Sequence, residues 1–183
     1  MRQLAHLALT VHLVMILVAT PLACAKSPPR KPSTDAEHLT PATLPPRPAI
    51  HAEVYIPVYS SLSYASGRVA VELSAQLTIR NTDSQRSIIL ESVKYFDGSG
   101  KLLRDELREA QSLGPMATTS FLVRKSDSEG GVGANYLVRW RSQESVSEPL
   151  MEAAMADLSS SHSLAFTSRG VTTRRADQGT LSP

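Results

Sequence analysis

The sequence predicts an all-β fold: an immunoglobulin-like antiparallel β-sandwich preceded by a signal peptide and a disordered, Pro-rich linker. Three observations predict it. Apolar and polar residues alternate with period two in segment after segment beyond residue 50. Clusters of Gly, Pro, Asn, Asp and Ser separate those segments. Ahead of them lie an apolar run and a stretch that holds seven of the twelve prolines. The 183 residues, 42% of them hydrophobic, suffice for one ordinary domain with short appendages. The expected division is a signal peptide over 1–24, a tether over 25–51, the sandwich over 52–172 and a disordered tail over 173–183.

Arg2 precedes LAHLALTVHLVMILVA, an apolar run too short and too close to the terminus for a secure membrane span. Pro21 and the small residues of LACA follow, so the segment reads as an export signal rather than an anchor helix. Two processing outcomes compete there. Ala23-Cys24-Ala25 fits ordinary signal peptidase, whereas Leu22-Ala23-Cys24 resembles a bacterial lipobox, with Pro21 in place of the usual leucine. Cys24 is the only cysteine, so it forms no intramolecular disulfide and builds no thiolate metal site. Its expected role is local: the thiol takes a lipid that anchors the chain to a membrane. Release as a soluble exported protein is the alternative.

Ser27 to Pro48 contains no aromatic residue and cannot build a core. A proline-rich chain of this kind extends by roughly 3 Å per residue and serves as a semi-rigid spacer. After Ala49, Val54, Ile56 and Val58 alternate with Tyr55, Pro57 and Tyr59, which predicts a strand with Pro57 at an edge or a bulge. VAVELSAQLTIR is the clearest strand, apolar at every odd position from Val69 to Ile79. Asn81-Thr82-Asp83-Ser84 supplies a turn, SIILESVKYF the next strand, and Asp97-Gly98-Ser99-Gly100 a further turn. LLRDELREAQSL carries apolar residues at helical spacing, but Gly100 favours a hairpin. Gly114-Pro115 breaks the chain before TTSFLVRK alternates again. VSEPLMEAAMADL reads as an irregular strand or a short helix, and SLAFTSRGV closes the domain.

Gly130, Gly131 and Gly133 invite a phosphate-loop reading that the following residues reject. Such a loop opens a helix whose N-terminal amides hold the anion, and it carries a Lys-Ser or Lys-Thr pair. Here Tyr136, Val138 and Trp140 alternate with Leu137, Arg139 and Arg141, so a strand follows. The glycines are expected to form a turn between strands by supplying positive φ, with Asp127 and Ser128 assisting.

Seven segments, YIPVYSSL, LTIRNTD, VKYFDGSGKLLR, LGPMATTSFLV, GGVGANYLVRW, EPLMEAAM and FTSRG, together resemble the bacterial family catalogued as domain of unknown function 3124. They run in order from Glu53 to Gly170. The resemblance implies an exported or lipid-anchored bacterial envelope protein without an established activity, and it transfers no catalytic residue.

Chemistry is sparsely signalled. The basic and acidic residues, 19 and 17, are scattered and give a net charge of +2, which argues against nucleic acid as a partner. His38 falls in the tether, His51 ahead of the first strand and His162 in SSSHS, with no nucleophile elbow near any of them. No metal-ligand spacing or cofactor motif is present, and no enzyme is expected. A rival reading, a hydrolase of envelope material, would use Asp127 or Glu129 beside the glycines as acid and base. The favoured expectation is a non-catalytic binding module for a protein or glycan. Its candidate surface comprises Tyr55, Tyr59 and Tyr64, since tyrosine is rigid, large and amphipathic, with the first strand at an edge or interface. Arg139, Arg141 and Arg169 add guanidinium groups suited to carboxylates; the bland alternative pairs them with Glu144, Glu148 or Glu152.

Overall fold

Alternation decides which side chains leave solvent. In Asn135–Ser142, Tyr136, Val138, Trp140 and Ser142 are buried while the residues between them are only half-buried. The computed structural model describes residues 38–64, 66–158 and 163–177. In chain order the strands are β1 (Leu39–Pro41), β2 (Ile50–Pro57), β3 (Ser61–Tyr64), β4 (Val69–Glu72), β5 (Ser74–Arg80) and β6 (Ile88–Phe96). They continue with β7 (Leu102–Asp105), β8 (Gln111–Leu113), β9 (Thr118–Val123), β10 (Asn135–Ser142), β11 (Leu150–Asp157), β12 (Leu164–Arg169) and β13 (Val171–Asp177).

The larger sheet has seven strands in the order β1-β8-β6-β10-β2-β13, with β7 paired to β6. The smaller has four, β12-β11-β5-β9, and β3 and β4 form a separate hairpin. All pairings within them are antiparallel. One apolar cluster fills the space between the two large sheets: Val54, Ile56, Val138 and Trp140 from one side, Leu77, Ile79, Phe121 and Met155 from the other. This is the immunoglobulin-like antiparallel sandwich expected from the alternation.

Three details differ from expectation. The segment assigned to the tether contains regular structure: β1 pairs with β8, Ala42 donates to the Ala110 carbonyl at 3.0 Å, and Pro45 and Pro48 are buried. An edge strand needs partners on one side only, so a proline such as Pro41 is tolerated there. At the other end, residues 173–177 belong to β13 rather than to a loose tail, because β2 offers them a ladder even though they bury almost nothing. Consequently β2 is internal, flanked by β10 and β13, and not an edge. Pro57 is tolerated because it ends β2, two residues beyond Tyr55, the last position β13 reaches. In keeping with the hairpin reading, the stretch with helical spacing after Gly100 forms β7 and β8, and EPLMEAAM takes the strand alternative as part of β11. The signal segment, Cys24, the tether to residue 37 and His162 lie outside the described residues.

Gly170 joins β12 of the smaller sheet to β13 of the larger. Its N–H donates to the Met151 carbonyl at 2.9 Å, and a Cβ there would stand 2.7 Å from Val54 Cγ1. Only glycine lets the chain cross between sheets so close to the core.

Candidate functional site on the outer face of the larger sheet

The register sorts the outward residues of the larger sheet into rows. Pro57, Asn135, Phe96 and Leu102 are successive cross-strand neighbours. The next row is Val171, Tyr55, Leu137, Lys94 and Asp105. Their apolar members, with Val171 62%, Leu102 45% and Tyr55 37% exposed, form a band interrupted by Asn135 and by the Lys94–Asp105 ion pair at 3.9 Å. Beside the band runs Arg174, Glu53, Arg139 and Ser92, then Ala176, His51, Arg141 and Ile89. The face thus combines exposed aromatic and aliphatic side chains with a border of arginines.

Two β-bulges shape the charged rows. Arg139 pairs with Ser92 and Trp140 with Leu90, so Glu91 is an extra residue in β6. Thr172 pairs with Val54 and Arg174 with Glu53, so Thr173 is an extra residue in β13. A bulge re-aims the side chain it carries. Glu91 thereby accepts from Arg141 Nε at 2.6 Å and lies 3.4 Å from His51 Nε2. Thr173 donates its hydroxyl to Glu53 at 3.2 Å, while Arg139 Nε reaches the other oxygen of that carboxylate at 2.9 Å. Arg174 approaches Glu53 only to 4.0 Å and leaves its side chain 81% exposed. Each carboxylate thus serves two basic neighbours, and positive charge is in surplus. The Arg139 hydrogen bond, against the opposing effect of burial and with help from Thr173 and Arg174, holds the Glu53 pKa below its ordinary value. His51, Glu53, Arg139, Arg174 and Arg175 line a depression of about 260 Å³ beside the band.

The structure gathers some of the expected site residues and separates others. Tyr55, Arg139 and Arg141 share this face. Tyr59 leaves it for the smaller sheet, packing edge-on against Phe166 with ring centroids 5.7 Å apart. Tyr64 sits exposed in the β3–β4 hairpin. Arg169 lies at the end of β12, beside a depression it shares with Thr82, Glu148 and Thr172. The arginines do not take the glutamates expected for them. Glu144 and Glu152 pair with Arg86 and Arg80, and Glu148 accepts from Thr172, leaving Glu53 and Glu91 to Arg139 and Arg141. His51, Glu53, Glu91 and Arg174 were not legible as a site. His51 belongs to β2 rather than preceding it.

The glycines act chiefly through closeness, with a short 3-10 turn over Gly131–Gly133 before β10. Only Gly131 has positive φ, at 65°. A Cβ on Gly130 would meet the Tyr95 hydroxyl at 2.1 Å, and one on Gly133 would stand 2.9 Å from Gly98 Cα. Behind this loop is a polar cluster. Asp127 receives Arg104 Nη1, Arg104 Nε donates to Glu106 at 3.2 Å, and the Tyr136 hydroxyl donates to Glu106 at 2.9 Å. Arg104 also lies over the Tyr95 ring, 4.8 Å from its centroid. Burial opposes the Arg104 charge and works to lower its pKa, yet Asp127 and Glu106 outweigh it and hold the pKa above its ordinary value. Burial and then Glu106 push the Tyr136 phenol upward. Asp127 is thus bound to a guanidinium while Glu129 faces solvent. Among the described residues no three His, Cys, Asp or Glu side chains are grouped to hold a metal, and no helix is long and apolar enough to cross a membrane.

Fold and site together define an antiparallel β-sandwich protein with a charged and aromatic sheet face. Residues 51–173 match the family model described as Protein of unknown function (DUF3124), and the chain belongs to that family. No curated protein matches it. A solved structure titled "Crystal Structure of Thermotoga maritima 1070" is similar with 13% identity and a TM-score of 0.39, covering 66% of this chain and 92% of that one.

Proposed function

We propose that this protein is an exported, lipid-anchored, non-catalytic binding module of the bacterial cell envelope, and that it holds a protein partner on the outer face of its larger sheet. The observation that carries the reading is the apolar band of Val171, Tyr55 and Leu137 bordered by Arg139, Arg141 and Arg174. A face needed only for folding would be satisfied by short polar residues. Tyrosine and arginine instead combine large contact area with directional bonding, which is why they dominate binding hot spots. A single exposed tyrosine on an open sheet favours a protein over a glycan, which binds best where several rings or a groove enclose a sugar. Cys24 behind the apolar run and the proline-rich segment after it support anchoring at a membrane.

Site-specific photocrosslinking in a bacterial host tests the surface. A photoreactive residue at Tyr55 or Leu137 should yield discrete protein adducts, and one at Gln76 on the smaller sheet should not. Equal labelling from all three positions would remove the reading. Intact mass of the mature chain tests the anchor: a diacylglyceryl group on Cys24 is the expected result, and a chain starting at Lys26 would mean soluble release.

A further inference from the structure

Among the described residues, the larger sheet ends in a length of backbone with no strand on its outer side. Among the described residues β13 pairs only with β2, so along its other side alternate N–H and C=O groups face outward. With seven residues β13 is longer than the other terminal strands, β1 at three and β9 and β12 at six each. Six of its seven residues are exposed. We infer that β13 receives an extended acidic segment of a partner protein as an eighth strand, extending the proposed binding face sideways. This rests on the binding-module reading above.

Charge selects the occupant. Arg174 is the least neutralised base on the face, because the one carboxylate near it is already committed to Arg139 and Thr173. An incoming carboxylate opposite Arg174 would complete the alternation Glu53 begins, and an apolar side chain beside Val171 would continue the band through Tyr55. A second copy of this chain is a poorer fit. Antiparallel pairing over the full length of β13 would place Arg174 opposite the other copy's Arg174, and like charges directly opposed repel. The bulge at Thr173 and the adjacent arginines blunt indiscriminate edge pairing, leaving an acidic strand as the favoured occupant.

Panning a displayed library of random heptapeptides against the full-length protein tests the inference. The expected winners are rich in Asp or Glu and β-branched residues. Synthetic versions should lose about tenfold or more in affinity on N-methylation at the alternate positions that face the sheet, or on Arg174→Glu in the protein. Circular dichroism of that variant establishes that it is folded. Winners that are not acidic, or that bind regardless of N-methylation, overturn strand addition. Concentration-dependent self-association of the protein without peptide would overturn it in favour of a second copy. If crosslinks at Tyr55 persist while no peptide adds to β13, strand addition fails and the face remains the binding surface; if both vanish, the binding-module reading fails with it.

Discussion

The outer faces of the two sheets rest on one core and yet differ in kind. On the smaller sheet, Thr167, Ala154, Gln76 and Leu122 form one cross-strand row, and Ala165, Ala156 and Ser74 another. Its side chains are mostly short, and its ion pair, Arg80 with Glu152 at 3.1 Å, is exposed on both sides. The larger sheet carries tyrosine, long aliphatics, five ion-paired or nearly paired bases among the described residues and two bulges in the same positions relative to the core. The smaller face shows what an antiparallel sheet needs in order to stay soluble on one side. What the larger face carries beyond that is the surface on which we propose that a partner binds.

Trp140→Ala should have the largest effect, because it removes the support beneath both faces. Trp140 is fully buried between the sheets, and its loss should lower unfolding free energy by about 3–5 kcal/mol in urea titration. Crosslinking at every position should then fall with the folded fraction. The comparison sharpens with Glu53→Ala against Glu152→Ala. Glu53 is 13% exposed and joins Arg139, Thr173 and Arg174, so its removal should cost about 1–2 kcal/mol. Glu152→Ala, which breaks an exposed pair, should stay within about 0.5 kcal/mol. Equal losses would mean that the two faces are energetically alike.

Acid provides a gentler probe. The folded-state pKa of Glu53 is depressed, so its stabilisation is fully present above the ordinary value of 4.5 and disappears as pH falls through the lower folded value. The difference between wild type and Glu53→Gln in urea midpoint should therefore be largest near neutrality and vanish in strong acid. Asp83, whose carboxylate accepts from the backbone N–H groups of Gln85, Ser147 and Arg86, changes in the same direction and remains in both proteins as an internal reference. Smallest of all is Gln76→Lys on the smaller face, expected to shift stability by less than about 0.5 kcal/mol and to leave crosslinking at Tyr55 unchanged.

The class of fold was legible because burial on one face writes itself into the sequence as alternation, as in Leu73 to Ile79. β13 was not, since an edge strand that buries little has no period to read. The ion pairs were hidden for a different reason. Arg139 and Glu53 are 86 residues apart and Arg141 and Glu91 are 50 apart, so their meeting depends on strand order and on a bulge that one sequence does not announce. Tyr55 was identified by alternation, but the same logic assigned Tyr59 to its side, whereas the chain leaves β2 at Pro57 and turns Tyr59 toward Phe166. The glycines were recognised as a turn. Their close packing against Tyr95 and Gly98 required partners distant in sequence.

The crossing at Gly170 bears on when the chain can fold. β2 is the first long strand made, yet its two neighbours come from residues about the 135–142 and 171–177 stretches, and Thr173 bonds to Glu53 across 120 positions. Contacts this distant in sequence make for slow closure. The larger sheet is complete only once β13 has been made, and a truncation just before Gly170 would keep β12 on the smaller sheet while leaving β2 without its outer neighbour.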